Sequence, residues 1–113
     1  MDRIAEYRTL IKKIFSQQAE FWNENSTRKS ETELLLDERH DNYMIYNVGW
    51  SSDKRVHDVF AYVRLRDNKF WIEDDWTEEG IASKLLQEGI PNQDIVLAFN
   101  PPDVRQFTDF AVA

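Results

Sequence analysis

The chain has 113 residues, no cysteine and a formal net charge of −7, from 14 Lys and Arg against 21 Asp and Glu. Its length and its 13% aromatic content predict a single domain over residues 1–113 with a modest apolar core. The lack of cysteine excludes disulfides and thiolate metal sites. The acidic balance argues against direct DNA binding by this chain alone. The absence of a leader pattern or a long apolar run leads us to expect a cytoplasmic protein with no membrane contact.

The first segment is typical of an amphipathic helix over residues 2–22. Asp2 is placed to cap its N-terminus. Residues 23–30 are polar and are predicted to form a loop. The apolar residues of the helix recur at three- and four-residue steps, which lines one face: Ile4, Tyr7, Ile11, Ile14, Phe15 and Trp22.

A meander of four antiparallel strands is predicted next. The two residues Asp67 and Asn68 both tolerate positive φ and therefore predict a tight hairpin turn. That turn would place Arg66 opposite Lys69 and Arg64 opposite Trp71. The four predicted strands are residues 31–37, 43–50, 55–66 and 69–73, with a further turn at 51–54.

This register divides the last hairpin into two faces. Arg64 could lie across the ring of Trp71 as a cation–π pair. The second face is too aromatic to be freely solvated, so we expect a helix of this chain to cover it, with pairing of two copies as the alternative. The predicted core face carries Val59, Ala61, Val63, Leu65, Phe70 and Ile72, and His57 falls beside them. The second face carries Phe60, Tyr62, Arg64, Trp71 and Glu73.

The rest of the chain predicts a helix and another strand. Thr77 suits the N-cap of the helix and Gly89 suits its left-handed C-terminal position. Residues 95–99 show no polar alternation and predict a central strand buried on both faces. A short helix is predicted at 103–107. The fold class is therefore α+β: an N-terminal helix, an antiparallel four-stranded meander, then a helix and a further buried strand.

A dense group of carboxylates separates the fourth strand from the second helix. Such a group can be a divalent-metal site, a solvated loop that complements the helix dipole, or a docking patch for a basic partner. Strand alternation aims neighbouring carboxylates in opposite directions, which favours the second interpretation over the first. The group consists of Glu73, Asp74, Asp75, Glu78 and Glu79.

The two histidines are weaker functional candidates. His40 lies among charged residues and is a candidate metal ligand, general base or hydrogen-bond partner of its turn. His57 is expected to be a core histidine. No nucleophile elbow, glycine-rich phosphate loop or His-Glu-x-x-His motif is present. A non-enzymatic protein without a cofactor is therefore expected.

Several short motifs, weak alone, are specific in their order and spacing. They are Arg39-His40-Asp41-Asn42-Tyr43, Val48-Gly49-Trp50, Arg55-Val56-His57, Lys69-Phe70-Trp71-Ile72, Thr77-Glu78-Glu79-Gly80-Ile81-Ala82, Gly89-Ile90-Pro91, Asp94-Ile95-Val96-Leu97-Ala98-Phe99, Pro102, Arg105 and residues 108–113. Together they resemble the XisI family, the fdxN-element excision controlling factors. The resemblance covers nearly the whole chain and is strongest from residue 39 onward.

The resemblance implies a typically cyanobacterial protein that accompanies a second small protein, XisH, and controls excision of a DNA element by a recombinase. It supplies no catalytic residues, and this chain has Tyr62 where many members carry another histidine on the third strand. Candidate docking residues for an XisH-like partner or a recombinase complex are Glu73, Asp74, Asp75, Glu78, Glu79, Trp71, Tyr62 and Arg64.

Three hypotheses follow. The first is a non-enzymatic accessory factor that binds an XisH-like protein. The second is an acidic inhibitor that occupies the basic cleft of a nuclease-like partner. The third is a metal-dependent enzyme that uses the 73–79 acidic cluster with His40 or His57.

Overall fold

The computed structural model describes residues 2–25 and 29–113, and its elements follow the predicted order. The fold is α+β, as predicted. Of the predicted loop at 23–30, residues 26–28 lie outside the described residues, and residues 23–25 belong to the helix. The elements are α1 Arg3–Asn25, β1 Lys29–Asp37, β2 Asn42–Ser51, β3 Lys54–Arg66, β4 Lys69–Asp75, α2 Ile81–Gln87 and β5 Ile95–Leu97, with 3₁₀ turns at Asn92–Asp94 and Pro102–Phe107.

Helix α1 begins and packs as its sequence predicts. The backbone N–H of Ile4 donates to Oδ1 of Asp2 at 3.1 Å, which satisfies one of the free donors of the first turn. The middle of the predicted apolar stripe is buried and belongs to the main core cluster. These residues are Tyr7, Ile11, Ile14 and Phe15.

The five strands lie in the sheet in the same order as in the chain. Strands β1 to β4 are antiparallel, and β5 runs parallel to β4. Asp67 and Asn68 have φ values of 54° and 58°, and Arg66 pairs with Lys69, so the predicted hairpin turn and register are confirmed.

The placement of β5 differs from the prediction. The strand ends at Leu97 and is last in the sheet order, not central. Its residues Ile95 and Val96 are nevertheless both buried. The reason is that the backbone N–H of Ala111 donates to the carbonyl oxygen of Ile95 at 2.9 Å, so the C-terminal segment covers the outer edge of the strand.

A β-bulge in β3 reverses part of the predicted face assignment. Ile45 pairs with Ala61 but Tyr46 pairs with Val59, so Phe60 is the extra residue. The Phe60 ring packs edge-on against Trp22 of α1, with the centroids 5.1 Å apart. Val59 is 36% exposed on the other side of the sheet. The prediction that Val59 faces the core and Phe60 faces away is therefore wrong.

The sheet has a helix face and an open face. Residues of both helices join the core cluster on the helix face, with Tyr43, Ile45, Ala61, Val63, Leu65, Phe70 and Ile72. No α-helix of the described chain covers the second face as predicted. The 3₁₀ turn Pro102–Phe107 reaches that face at Trp71, where Arg105 lies over the ring. The pairing and alternation of β1–β3 place on the open face Glu31, Glu33, Leu35, Asp37, Asn42, Met44, Tyr46, Val48, Trp50, Arg55, His57, Val59, Tyr62 and Arg64.

The side chain of Asn23 protects the edge of β1. Its Nδ2 donates to the carbonyl oxygen of Thr32 and its Oδ1 accepts the N–H of Thr32, each at 2.9 Å, as a neighbouring strand would. We expect Asn23→Ala to lower the free energy of unfolding by about 1–2 kcal/mol, because both backbone groups lose their partner. Urea titration measures this change. Gln17→Ala, an exposed position on the same helix, is the matched control, and equal losses in the two variants would contradict the prediction.

Candidate docking site

The predicted docking residues fall into three separate environments. Tyr62, Arg64 and Trp71 lie on the same side of the sheet as the open face, and Glu73 joins them there. Asp75 organises the turn before α2. Glu78 and Glu79 line a groove with residues of α1.

A second bulge places Glu73 beside Arg64. Tyr62 pairs with Asp74 and Val63 with Ile72, so Glu73 is the extra residue of β4. Its Oε2 lies 2.9 Å from Nε of Arg64, and the two side chains are only 21% and 29% exposed. Arg64 is thus held by a carboxylate, which binds a guanidinium more strongly than a ring face does.

The cation over Trp71 comes from a different element than predicted. The guanidinium of Arg105 lies 5.7 Å from the ring centroid of Trp71. Arg105 also donates to the carbonyl oxygens of Asn100, at 3.0 Å, and Ala98, at 3.3 Å. Arg64 pairs with Trp71 in the sheet as predicted, but the predicted cation–π contact between them is wrong. Arg105 instead holds the C-terminal segment over this end of the sheet.

Asp75 caps α2 from a distance. Its Oδ2 accepts the backbone N–H of Ile81 at 2.7 Å, and its Oδ1 accepts the N–H and the hydroxyl of Thr77 at 3.0 and 2.5 Å. The Thr77 hydroxyl oxygen accepts the N–H of Gly80, whose φ of 95° suits glycine. The helix therefore begins at Ile81, not after Thr77 as predicted, because Asp75 satisfies the donor that a local N-cap would satisfy.

The remaining carboxylates are on the surface. Glu79 accepts from Nε2 of Gln87 at 2.8 Å and lies 3.3 Å from Nζ of Lys84, and these contacts lower the pKa of Glu79. Asp74 and Glu78 are exposed. Among the described residues, no three His, Cys, Asp or Glu side chains come together as a possible metal-binding group.

The two histidines are apart from this segment. His40 Nδ1 lies 3.0 Å from Oδ2 of Asp37, and the His40 backbone N–H donates to Oδ1 at 3.2 Å, so His40 closes the turn between β1 and β2. The hydrogen bond from His40 lowers the pKa of Asp37. His57 is exposed on the open face. The prediction that His57 joins the core is wrong, because the bulge at Phe60 reverses the alternation before it.

A partly buried polar network around Asp41 was not predicted from the sequence. Oδ1 and Oδ2 of Asp41 accept from Nε and Nη2 of Arg8 at 2.7 and 3.0 Å, and the hydroxyl of the buried Tyr43 donates to Oδ1 at 2.9 Å. The Arg8 guanidinium holds the pKa of Asp41 below its usual range, and burial, with the Asp41 carboxylate, raises the pKa of Tyr43. Asp41 lies in a motif noted above, but Arg8 is remote in sequence.

Several large apolar side chains are also exposed. Trp76 is 73% exposed and directly follows β4, and Phe107 is 81% exposed in the C-terminal segment. Exposed large aromatic side chains are typical of protein-binding surfaces. In the described part of the chain, no helix has the length and apolar character needed to cross a membrane.

The described features are those of a small α+β domain with exposed acidic and aromatic side chains. The model of the XisI protein family matches residues 1–112, so the chain belongs to the XisI family. A crystal structure of an XisI-like protein from Anabaena variabilis superposes with a TM-score of 0.89 at 32% identity, covering 96% of this chain and 98% of that one. The structure of the fdxN element excision controlling factor XisI from the same organism gives 0.83 at 34% identity, over 99% and 100%. None of the curated proteins matches the sequence.

Proposed function

We propose that this chain is a non-enzymatic controlling factor for the excision of a DNA element and that it acts by binding a protein partner in the cytoplasm. The observation that carries the proposal is its 34% identity, over 99% of its length, to a protein described as the fdxN element excision controlling factor XisI. An XisH-like protein is the partner that the family resemblance implies.

The surface chemistry supports a protein partner over direct contact with DNA. The net charge of −7 repels a polyanion. Asp74 and Glu78 are exposed acidic groups, and Trp76 lies between them in the chain with most of its ring in solvent. A basic partner surface would gain charge complementarity from the first two and apolar contact from the third.

Co-expression with a cognate XisH-like protein tests the proposal. We expect the two chains to elute together from size-exclusion chromatography at micromolar concentration. Separate elution of two folded proteins would contradict the proposal. A nuclease assay of the complex then distinguishes an accessory factor from the acidic inhibitor, because only an inhibitor suppresses an activity that the free partner shows.

Charge reversal at the exposed acids tests where the partner binds. We expect the double substitution Asp74→Lys and Glu78→Lys to weaken the complex by at least about tenfold, because attraction becomes repulsion. Isothermal titration calorimetry measures the affinity. Glu20→Lys with Glu24→Lys, two exposed positions of α1, makes the same change in net charge and should leave the affinity unchanged. Equal weakening by both pairs would show a nonspecific effect of charge.

A further inference from the structure

A groove lies between the C-terminal half of α1 and the turn before α2. It has a volume of about 350 Å³. Ligand pockets in proteins begin at about 300 Å³, so a groove of this size suits one long side chain and not a larger molecule. Helix α1 contributes Gln17, Gln18, Phe21 and Trp22 to its lining, and the turn contributes Glu78 and Glu79.

The α1 side of the groove is aromatic. Phe21 is 58% exposed. The Trp22 ring makes two edge-on contacts, with centroids 5.1 Å from Phe60 and 6.5 Å from Phe21. The face of an aromatic ring attracts cations, and in proteins the cation is more often a guanidinium than an ammonium. This side of the groove therefore offers a surface on which a flat cation can stack.

The other side of the groove is acidic and is fixed by the Asp75 turn. The carboxylate of Asp75 accepts the backbone N–H groups of Thr77 and Ile81, at 3.0 and 2.7 Å. Both ends of the short segment that carries Glu78 and Glu79 are therefore tied to one side chain. Groups that are held in place before a ligand arrives lose less conformational freedom when it binds. The acidic side of the groove is thus prepared for binding.

The groove carries an excess of negative charge. Lys84 also lines it, but its Nζ lies 3.3 Å from Oε2 of Glu79, so these two charges offset each other. Glu78 is exposed, and no residue of the described chain forms an ion pair with it. Helix α1 ends beside the groove without a basic residue in its last turn, where the helix dipole attracts cations. The uncompensated charge and the aromatic surface together favour a cationic ligand.

We propose that this groove receives an arginine side chain of the protein partner. A guanidinium is planar, so it can stack on an aromatic ring while its N–H groups donate to a carboxylate, whereas an ammonium is a compact point charge. The acceptors available to it are the carboxylate of Glu78 and the side-chain carbonyl oxygens of Gln17 and Gln18. The inference rests on the proposed function, since it names the chemical group by which this chain recognises that partner.

A short arginine peptide tests the groove on the isolated chain. The probe is acetyl-Gly-Arg-Gly-amide, titrated into isotope-labelled protein and followed by NMR. The matched peptide carries citrulline, which is flat like arginine but uncharged. We expect the indole N–H of Trp22 and the side-chain amides of Gln17 and Gln18 to shift, with a dissociation constant in the millimolar range for the arginine peptide and at least about tenfold weaker binding of the citrulline peptide. Equal binding of both peptides, or no shift of these groups, overturns the proposal.

Two variants test the two sides of the groove separately. Glu78→Gln removes the uncompensated charge and should weaken binding of the arginine peptide about fivefold. Phe21→Leu keeps an apolar side chain but removes the ring face, and should weaken it about threefold. Glu24→Gln is the matched control, because Glu24 is also exposed but lines a different groove of α1, and it should leave binding unchanged. Equal weakening by Glu78→Gln and Glu24→Gln overturns the proposal, since it would show only an effect of net charge.

The complex with an XisH-like protein separates the groove from the proposed function. We expect Phe21→Leu combined with Glu78→Gln to weaken that complex by at least about tenfold in isothermal titration calorimetry. Undiminished affinity overturns the groove as the docking site and leaves the proposed function intact. If the arginine peptide enters the groove but no XisH-like protein binds the original chain, that partner is wrong and the groove stands. Peptide binding that appears only after Arg28→Gln, a position outside the described residues, would identify the chain's own arginine as the occupant and overturn the proposal.

Discussion

Replacing Asp41 by alanine is expected to lower the free energy of unfolding by about 3 kcal/mol. The substitution leaves the hydroxyl of the buried Tyr43 without its acceptor and removes both hydrogen bonds from Arg8. The backbone at residue 41 has a φ of 56°, in the left-handed region. Aspartate and asparagine tolerate this conformation better than alanine, because their side chains can form local hydrogen bonds. Urea titration at neutral pH measures the loss.

Asp41→Asn is the control that separates charge from shape. Asparagine tolerates the same φ and keeps an oxygen for Tyr43, so it should lose only about 1 kcal/mol. The Arg8 guanidinium lowers the pKa of Asp41 in the folded chain. The stabilisation by its charge is therefore complete above the unfolded pKa of about 4 and disappears as the pH falls through the lower folded value. The advantage of the original chain over Asp41→Asn should shrink in acid, and a pH-independent difference would contradict this account.

Replacing Asp75 by alanine is expected to cost about 2–3 kcal/mol. Three donors lose a charged acceptor: the backbone N–H groups of Thr77 and Ile81 and the hydroxyl of Thr77. We also expect faster hydrogen exchange at the start of α2, because Ile81 no longer has a partner for its N–H.

Asp74→Ala is the matched control for Asp75→Ala. Asp74 is the neighbouring carboxylate of the same segment and its side chain is exposed. Its loss should change the stability by less than about 0.5 kcal/mol. If the two alanine variants unfolded at the same urea concentration, the capping role of Asp75 would be wrong.

Local patterns in the sequence predicted most of the fold. The three- and four-residue steps of α1 and the turn at Asp67-Asn68 both depend on neighbouring residues alone, and both are confirmed. Gly89 has a φ of 89° at the end of α2, as its predicted left-handed role requires. Each of these features depends only on residues that are close together in the sequence.

The errors involve contacts that the local pattern of the sequence does not show. Alternation counted from the hairpin turn predicts the faces correctly until a bulge adds a residue, and nothing in the sequence around Phe60 marks that position. For Trp71, the cation comes from Arg105, far along the chain. For α2, the carboxylate of Asp75 accepts the N–H of Ile81 from six residues earlier in the chain. A cap predicted from sequence is instead expected directly beside the first turn of the helix.

The candidate site was only partly predictable for the same reason. The acidic segment is evident from composition, but the distribution of its members depends on the second bulge and on the Asp75 turn. The docking role of these residues stays a prediction. The bond between Arg8 and Asp41 joins two elements that the sequence gives no reason to pair.

The order of strands in the sheet has a consequence for folding. Strands β1 to β4 are neighbours in both the chain and the sheet, so short loops close each pair at little entropic cost. Strand β5 can pair with β4 only after the long connection from Asp75 to Ile95 has been synthesised, and Arg105 is synthesised later still. A nascent chain can therefore build its meander on α1 while Trp71 still lacks its cover. This end of the sheet is finished only when Arg105 reaches Trp71 and Ala111 reaches Ile95.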